Sequence, residues 1–115
     1  MLLLILLVFV LTIGCEKEEK ANLEGTKVNV KELVGRRGCP FCHDMKRKLL
    51  GPSFYEISKR YVEKDKEKIV ESILKGSKNK WGNVPMPSQK VSKEEAELIA
   101  EWILNLKREL SQDEN

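Results

Sequence analysis

One five-residue segment, Cys39-Pro40-Phe41-Cys42-His43, restricts this chain more than anything else in it. It holds two of the three cysteines and the only histidine. C-x-x-C-H is the spacing at which covalent c-type haem is attached, and the geometry accounts for it. Two cysteines three positions apart lie near one face of a helical turn, so both sulfurs reach the two vinyl groups, while the next residue directs an imidazole nitrogen at the iron. Length reinforces the point. A chain of 115 residues is one small domain at most, buries a smaller fraction of its surface than a large protein, and gains from a staple or cofactor that enlarges its core.

Other chemistries compete for the same residues. A Cys39–Cys42 disulfide suits an oxidising compartment, and Cys-Pro-Phe-Cys also resembles a glutaredoxin active site, with Val84-Pro85 imitating the Val-cis-Pro pair of that fold. That motif follows a buried strand in a βαβ setting, whereas Val34-Gly35-Arg36-Arg37-Gly38 is no such strand. Structural zinc wants four ligands, more than one histidine and two cysteines supply. Haem is the leading reading, the dithiol the second and zinc the last.

Residues 1–14 read as a leader. Leu2 to Gly14 carries no charge and is closed by Cys15 and then Glu16-Lys17-Glu18-Glu19-Lys20. At 1.5 Å per residue this run falls short of a bilayer core roughly 30 Å thick, which favours a signal-peptide segment over a membrane span. Leu11-Thr12-Ile13-Gly14-Cys15 resembles a bacterial lipobox, although Leu11 stands one place early, Ile13 is bulky and no Lys or Arg precedes the apolar run. Cys15 is therefore the lipidation candidate, against a plainer reading as a spare thiol beside an ordinary cleavage site. Because one acyl chain binds membranes only marginally, anchoring would need several. Either reading places the body in the periplasm or another extracytoplasmic space. Residues 15–27 then form a flexible tether, 28–110 the folded domain and 111–115 a C-terminal tail.

The body reads as all-α. Ser92 and Glu95 have capping-box spacing ahead of a stripe of Ile99, Trp102, Ile103, Leu106 and Leu110, which predicts a last helix over 92–110. Leu33 and Val34 lie on a first helix that Asn29 would cap, with Gly35 unexplained inside it. Asp65 followed by Ile69, Val70, Ile73, Leu74 and Gly76 predicts a short helix with an N-cap and a glycine stop, and a brief helix is expected around Phe54 to Tyr61. Between Gly76 and Val91 runs a stretch with little helical or strand pattern, long enough to imply a function. The charge is nearly balanced, 21 Lys plus Arg against 18 Asp plus Glu. That excludes a nucleic-acid binder working by counterion release.

With His43 on one side of the iron, the other side needs a ligand, an open position or a small molecule. No second histidine exists, and Met45 is too near His43 to reach the opposite face. Met86 is the candidate, between Pro85 and Pro87 in the otherwise unexplained loop, where two prolines stiffen the backbone that must present a weak thioether. Its alternative is the ordinary fate of methionine as core filler.

Taken together, Cys39-Pro40-Phe41-Cys42-His43, Gly51-Pro52, Trp81-Gly82, Val84-Pro85-Met86-Pro87, and Val91-Ser92 before Glu101-Trp102-Ile103-Leu104 resemble the small class I bacterial cytochromes c. The resemblance implies a cytochrome c fold of three to four short helices around one covalently attached haem c. It further implies that the Pro52 carbonyl accepts the His43 Nδ1 proton, that Trp81 donates its indole N–H to a propionate, and that Gln89 hydrogen-bonds near the Met86 sulfur. Ser88 and Ser72 depart from the pattern, standing where related sequences often have a second proline and a basic residue. The implied function is a one-electron carrier, not an enzyme, with His43 and Met86 as axial ligands. Its expected partners are a membrane quinol oxidase complex as donor and a terminal oxidase or reductase as acceptor, met transiently through a basic rim of Lys46, Arg47 and Lys48. The rivals are a haem-binding sensor or small peroxidase-like protein with an open sixth site, and the glutaredoxin-like dithiol protein.

Overall fold

A computed structural model describes residues 27–113. The leader, Cys15 and nearly all of the tether lie outside those residues. Within them the chain forms four α-helices and two 3₁₀ turns. Helix α1 spans Val30–Arg36, α2 Phe54–Arg60, α3 Lys66–Lys75 and α4 Lys93–Gln112. The 3₁₀ turns are Cys39–Phe41 and Glu63–Asp65. No helix among the described residues is long and apolar enough to cross a membrane.

Three of the four helices start where a side chain satisfies an orphan N–H. Asn29 accepts from the Glu32 N–H at the head of α1, and Ser53 from the Glu56 N–H at the head of α2. Ser92 and Glu95 form the reciprocal capping box expected for α4. Helix α3 differs. Asp65 precedes it, but its carboxylate accepts from the Val62 N–H at 3.2 Å and pairs with Lys68 Nζ at 2.9 Å rather than capping the helix. The cause is the 3₁₀ turn just before it, whose leading residue Val62 takes the Asp65 carboxylate through its N–H. Helix α4 also runs two residues past Leu110, to Gln112.

Helix α4 is the hub, with α1, α2 and α3 all packed against it. Ala96, Ile99, Ala100, Ile103, Leu104 and Leu106 form its buried face, joined by Leu33 and Val34 of α1, Phe54 and Ile57 of α2, and Ile69, Val70 and Ile73 of α3. Two small residues, Ala96 and Ala100, let neighbouring backbones approach the middle of that face. Trp102 and Leu110, also read into the stripe, are partly buried against the core. The Arg37 guanidinium reaches Glu95 at 2.7 Å, tying the end of α1 to the start of α4 and holding the Glu95 carboxyl below its ordinary range.

Candidate haem site

After α1 the chain turns through Gly38, at φ 77°, into the 3₁₀ turn that carries the cysteines. The Cys42 and His43 N–H groups both donate to the Cys39 carbonyl, at 3.2 and 3.0 Å, which winds the two cysteines and the histidine around one turn. Cys39, Cys42 and His43 consequently line a single cavity. Both cysteines are free thiols of intermediate burial. Burial pushes the Cys39 thiol above its ordinary value, with the neighbouring Cys42 adding to the rise against the lowering effect of a backbone hydrogen bond. A raised thiol is a poor nucleophile at neutral pH, the opposite of what a dithiol oxidoreductase needs in its attacking cysteine.

His43 is held from two directions. The Gly51 N–H donates to the Cys42 carbonyl at 2.9 Å, folding Gly51-Pro52 back over the motif. His43 Nδ1 then lies 2.7 Å from the Pro52 carbonyl oxygen. A carbonyl can only accept, so Nδ1 carries the proton and a neutral ring leaves Nε2 with a free lone pair for a metal. Gly51 is needed because a Cβ there would stand 2.6 Å from His43 Cε1. Phe54 packs on the imidazole at 5.4 Å between ring centres, and Trp102 meets Phe54 edge-on at 5.2 Å. Nothing in the sequence signals that Phe54 packs on the His43 ring.

Met86 reaches the same cavity from the loop after α3. Its backbone pairs with Ser77 in an isolated antiparallel bridge, Ser77 N–H to Met86 O at 3.0 Å and Met86 N–H to Ser77 O at 2.9 Å. The Gln89 N–H adds a bond to the Ile73 carbonyl at 2.8 Å, stitching the loop to the end of α3. Gly76 makes this closure possible. At φ 79° and ψ 176° it occupies a region open essentially to glycine alone, and a Cβ there would fall 2.5 Å from the Met86 carbonyl oxygen. Met45 packs against the core without lining the cavity.

The remaining site candidates divide. Pro52, Trp81 and Gln89 all line the cavity. Trp81 packs edge-on against Tyr61 at 6.4 Å between ring centres, and the Arg60 guanidinium lies over the Trp81 ring at 4.2 Å from its centre. The Gln89 side-chain NH₂ donates to the Pro87 carbonyl at 2.8 Å, not to the Met86 sulfur. That carbonyl is only two residues away and is the stronger acceptor. The floor of the cavity is core itself, Ile57, Ile69, Ile73, Ile99 and Ile103. Two thiols, an imidazole with its free nitrogen turned to ligation, a thioether and an apolar floor fit a covalently attached haem. They do not make a zinc site, which would want more thiolate or imidazole ligands.

The comparisons with known proteins agree with a covalently attached haem. The family described as Cytochrome c matches residues 28–107. Cytochrome c-552 of Hydrogenobacter thermophilus is 39% identical over 88 residues, covering 75% of this chain and 90% of that protein. Cytochrome c-551 of Pseudomonas denitrificans is 42% identical over 78 residues, covering 66% of this chain and 95% of its own length. The crystal structure of wild-type Nitrosomonas europaea cytochrome c552 superimposes with a TM-score of 0.64 at 35% identity, over 67% of this chain and 99% of that one. The chain belongs to the cytochrome c family, as a small monohaem bacterial member with one covalently attached haem c.

Proposed function

We propose that this cytochrome carries single electrons between respiratory complexes on the extracytoplasmic side of a membrane, with Cys39 and Cys42 as the thioether links and His43 and Met86 as the axial ligands. The observation that carries the reading is that these four side chains line one cavity, with His43 Nδ1 committed to the Pro52 carbonyl at 2.7 Å. When bound, the haem supplies a ferric–ferrous couple whose potential a Met/His ligand pair raises.

The chain's own residues have to orient, insulate and connect. Pro52 fixes the imidazole plane and makes its Nε2 more basic. The Ser77–Met86 bridge holds the thioether, a weak ligand that a loose loop would lose. His43 and Met86 together would hold a bound haem so that oxygen and peroxide found no ready place on it, which suits an electron carrier rather than an enzyme. Ile57, Ile99 and Ile103 exclude water from one side and keep the surrounding dielectric low. Outside, Lys46, Arg47 and Lys48 are exposed beside the apolar Leu50, which is 62% exposed and lines the cavity mouth. A small apolar contact ringed by positive charge fits brief encounters with acidic partners, here a membrane quinol oxidase complex as donor and a terminal oxidase or reductase as acceptor. The leader over 1–14 supports the periplasmic location, and lipid attachment at Cys15 would confine the domain near the membrane.

The test is the absorption spectrum of the exported, haem-matured protein, oxidised and reduced, with the Met86→Ala variant beside it. Sharp reduced α and β bands and a weak near-infrared sulfur-to-iron band in the oxidised protein are expected, the latter abolished in M86A while the haem bands persist. A near-infrared band unchanged in M86A, or carbon monoxide binding by the unaltered protein without loss of any ligand, would overturn the Met86 assignment and favour an open sixth site. Absence of haem after competent maturation would overturn the reading as a whole.

A further inference from the structure

The cavity has an unusual charge balance. No Asp or Glu lines it, and among its described lining residues Lys80 is the only lysine or arginine. Lys80 is exposed, but its side chain is tied back to the cavity wall. Its Nζ donates to Ser72 Oγ at 2.9 Å, and Ser72 also lines the cavity while its hydroxyl donates to the Lys68 carbonyl at 3.0 Å. The ammonium forms no ion pair with a carboxylate of the described residues.

The backbone of Lys80 is clamped from outside the cavity. Arg60, at the end of α2, donates from Nη1 to the Lys80 carbonyl at 2.7 Å and places its guanidinium over the Trp81 ring at 4.2 Å. One arginine therefore sets both the residue carrying the cation and the adjacent tryptophan. A haem is apolar over most of its area and carries two carboxylates at one edge. In a cavity whose lining holds no other lysine or arginine, that edge would be stabilised beside Lys80 and Ser72.

We propose that Lys80 is the cationic partner of a haem propionate, with Ser72 fixing the ammonium by its hydroxyl and Arg60 acting as a positioning residue behind it. This rests on the haem reading above. The proposed contact bears on the couple directly, because a cation close to a propionate offsets negative charge that would otherwise favour the ferric state.

The experiment is a spectroelectrochemical titration of the haem-matured full chain and its variants at one pH and low salt. K80Q should move the ferric-to-ferrous ratio at a fixed ambient potential about three- to tenfold toward ferric, tenfold corresponding to about 59 mV for a one-electron couple. K78Q is the control, since Lys78 is exposed like Lys80 but does not line the cavity, and it should move the ratio by less than twofold, roughly. Returning the charge from the other side, in K80Q/S72K, should restore the ratio because residue 72 is already in contact with the ammonium. R60K, which keeps a charge but lacks the planar fork, should shift the ratio in the direction of K80Q by less, and should add nothing in the K80Q background. Equal shifts in K80Q and K78Q, or no restoration by S72K, would overturn the proposal while intact haem bands left the function standing. Loss of haem from the unaltered chain would instead refute the reading on which it rests.

Discussion

Replacing Gly76 by alanine should release Met86 more effectively than it unfolds the domain. Gly76 sits at φ 79° and ψ 176°, and strain in this region costs a residue with a Cβ on the order of 1–3 kcal/mol. The new Cβ would also meet the Met86 carbonyl oxygen at 2.5 Å and the Ser88 nitrogen at 3.0 Å, both backbone atoms that cannot rotate aside. Relief requires the Ser77–Met86 bridge to open, forfeiting two hydrogen bonds worth about 1 kcal/mol each. The total is about 3–5 kcal/mol, directed at one loop, against a whole-domain stability of roughly 5–15 kcal/mol. Gly82→Ala calibrates the strain alone, since Gly82 has φ 116° but nothing within 4 Å of its added Cβ. In the oxidised, haem-matured protein the near-infrared sulfur-to-iron band should be weakened or lost in G76A, and the denaturant concentration that abolishes it should fall well below that of G82A. A G76A protein that keeps the band at full intensity, or loses it no sooner than G82A, would refute the claim that this glycine closes the Met86 loop.

Other substitutions follow from the same geometry. Gly51→Ala puts a Cβ 2.6 Å from His43 Cε1 and should cost about 1–3 kcal/mol; the expected signature is a low-spin spectrum disturbed at the imidazole while haem stays attached. Gly35→Ala should stabilise by about 0.5–1 kcal/mol, because it lies inside α1 with nothing within 4 Å of the added carbon; a lower denaturation midpoint would contradict this. Arg37 holds the Glu95 carboxyl below its ordinary 4.5, so the pair's contribution is fully present above that pH and lost as pH falls through the lower folded value. Glu95→Gln keeps a side chain able to complete the capping box but removes the charge. The gap in thermal midpoint between the unaltered protein and E95Q should be constant above about pH 4.5 and close on acidification; a gap that widens would invert the assigned sign.

The parts of the site carried by local spacing were legible in the sequence, and the parts made by distant backbone were not. Cys39, Cys42 and His43 announce themselves because a single turn sets their geometry, and Met86 emerged because the described chain holds so few sulfur and imidazole ligands. Helix α4 was readable from a capping box and a long stripe. Asp65 misled because a 3₁₀ turn, too short to leave a periodic pattern, takes its carboxylate. Gly76 looked like an ordinary helix stop, since its close approach is to Met86, which follows it by a loop of irregular structure. Gln89 was assigned toward the sulfur, but a carbonyl two residues away takes its NH₂. Lys80 gave no hint at all, because its partner Ser72 and its clamp Arg60 lie on two different helices.

That division explains how so short a chain can bring His43 and Met86 to one cavity. The Cys39–His43 turn follows α1, and the Met86 loop follows α3; neither helix is stitched to the other by a strand, yet both pack on α4. The apolar residues that join α2, α3 and α4, namely Ile57, Ile69, Ile73, Ile99 and Ile103, are the same residues that floor the cavity. Core and cofactor surface are therefore one surface, and a flat apolar ring bound there extends the packing that a domain of this size cannot complete with side chains alone. The backbone bonds at Pro52, Ser77 and Ile73 matter for the same reason. They fix His43 and Met86 to the ends of helices whose positions the shared core has already determined, so that the placement of both side chains is set by the fold and little would have to move if a bound iron changed charge.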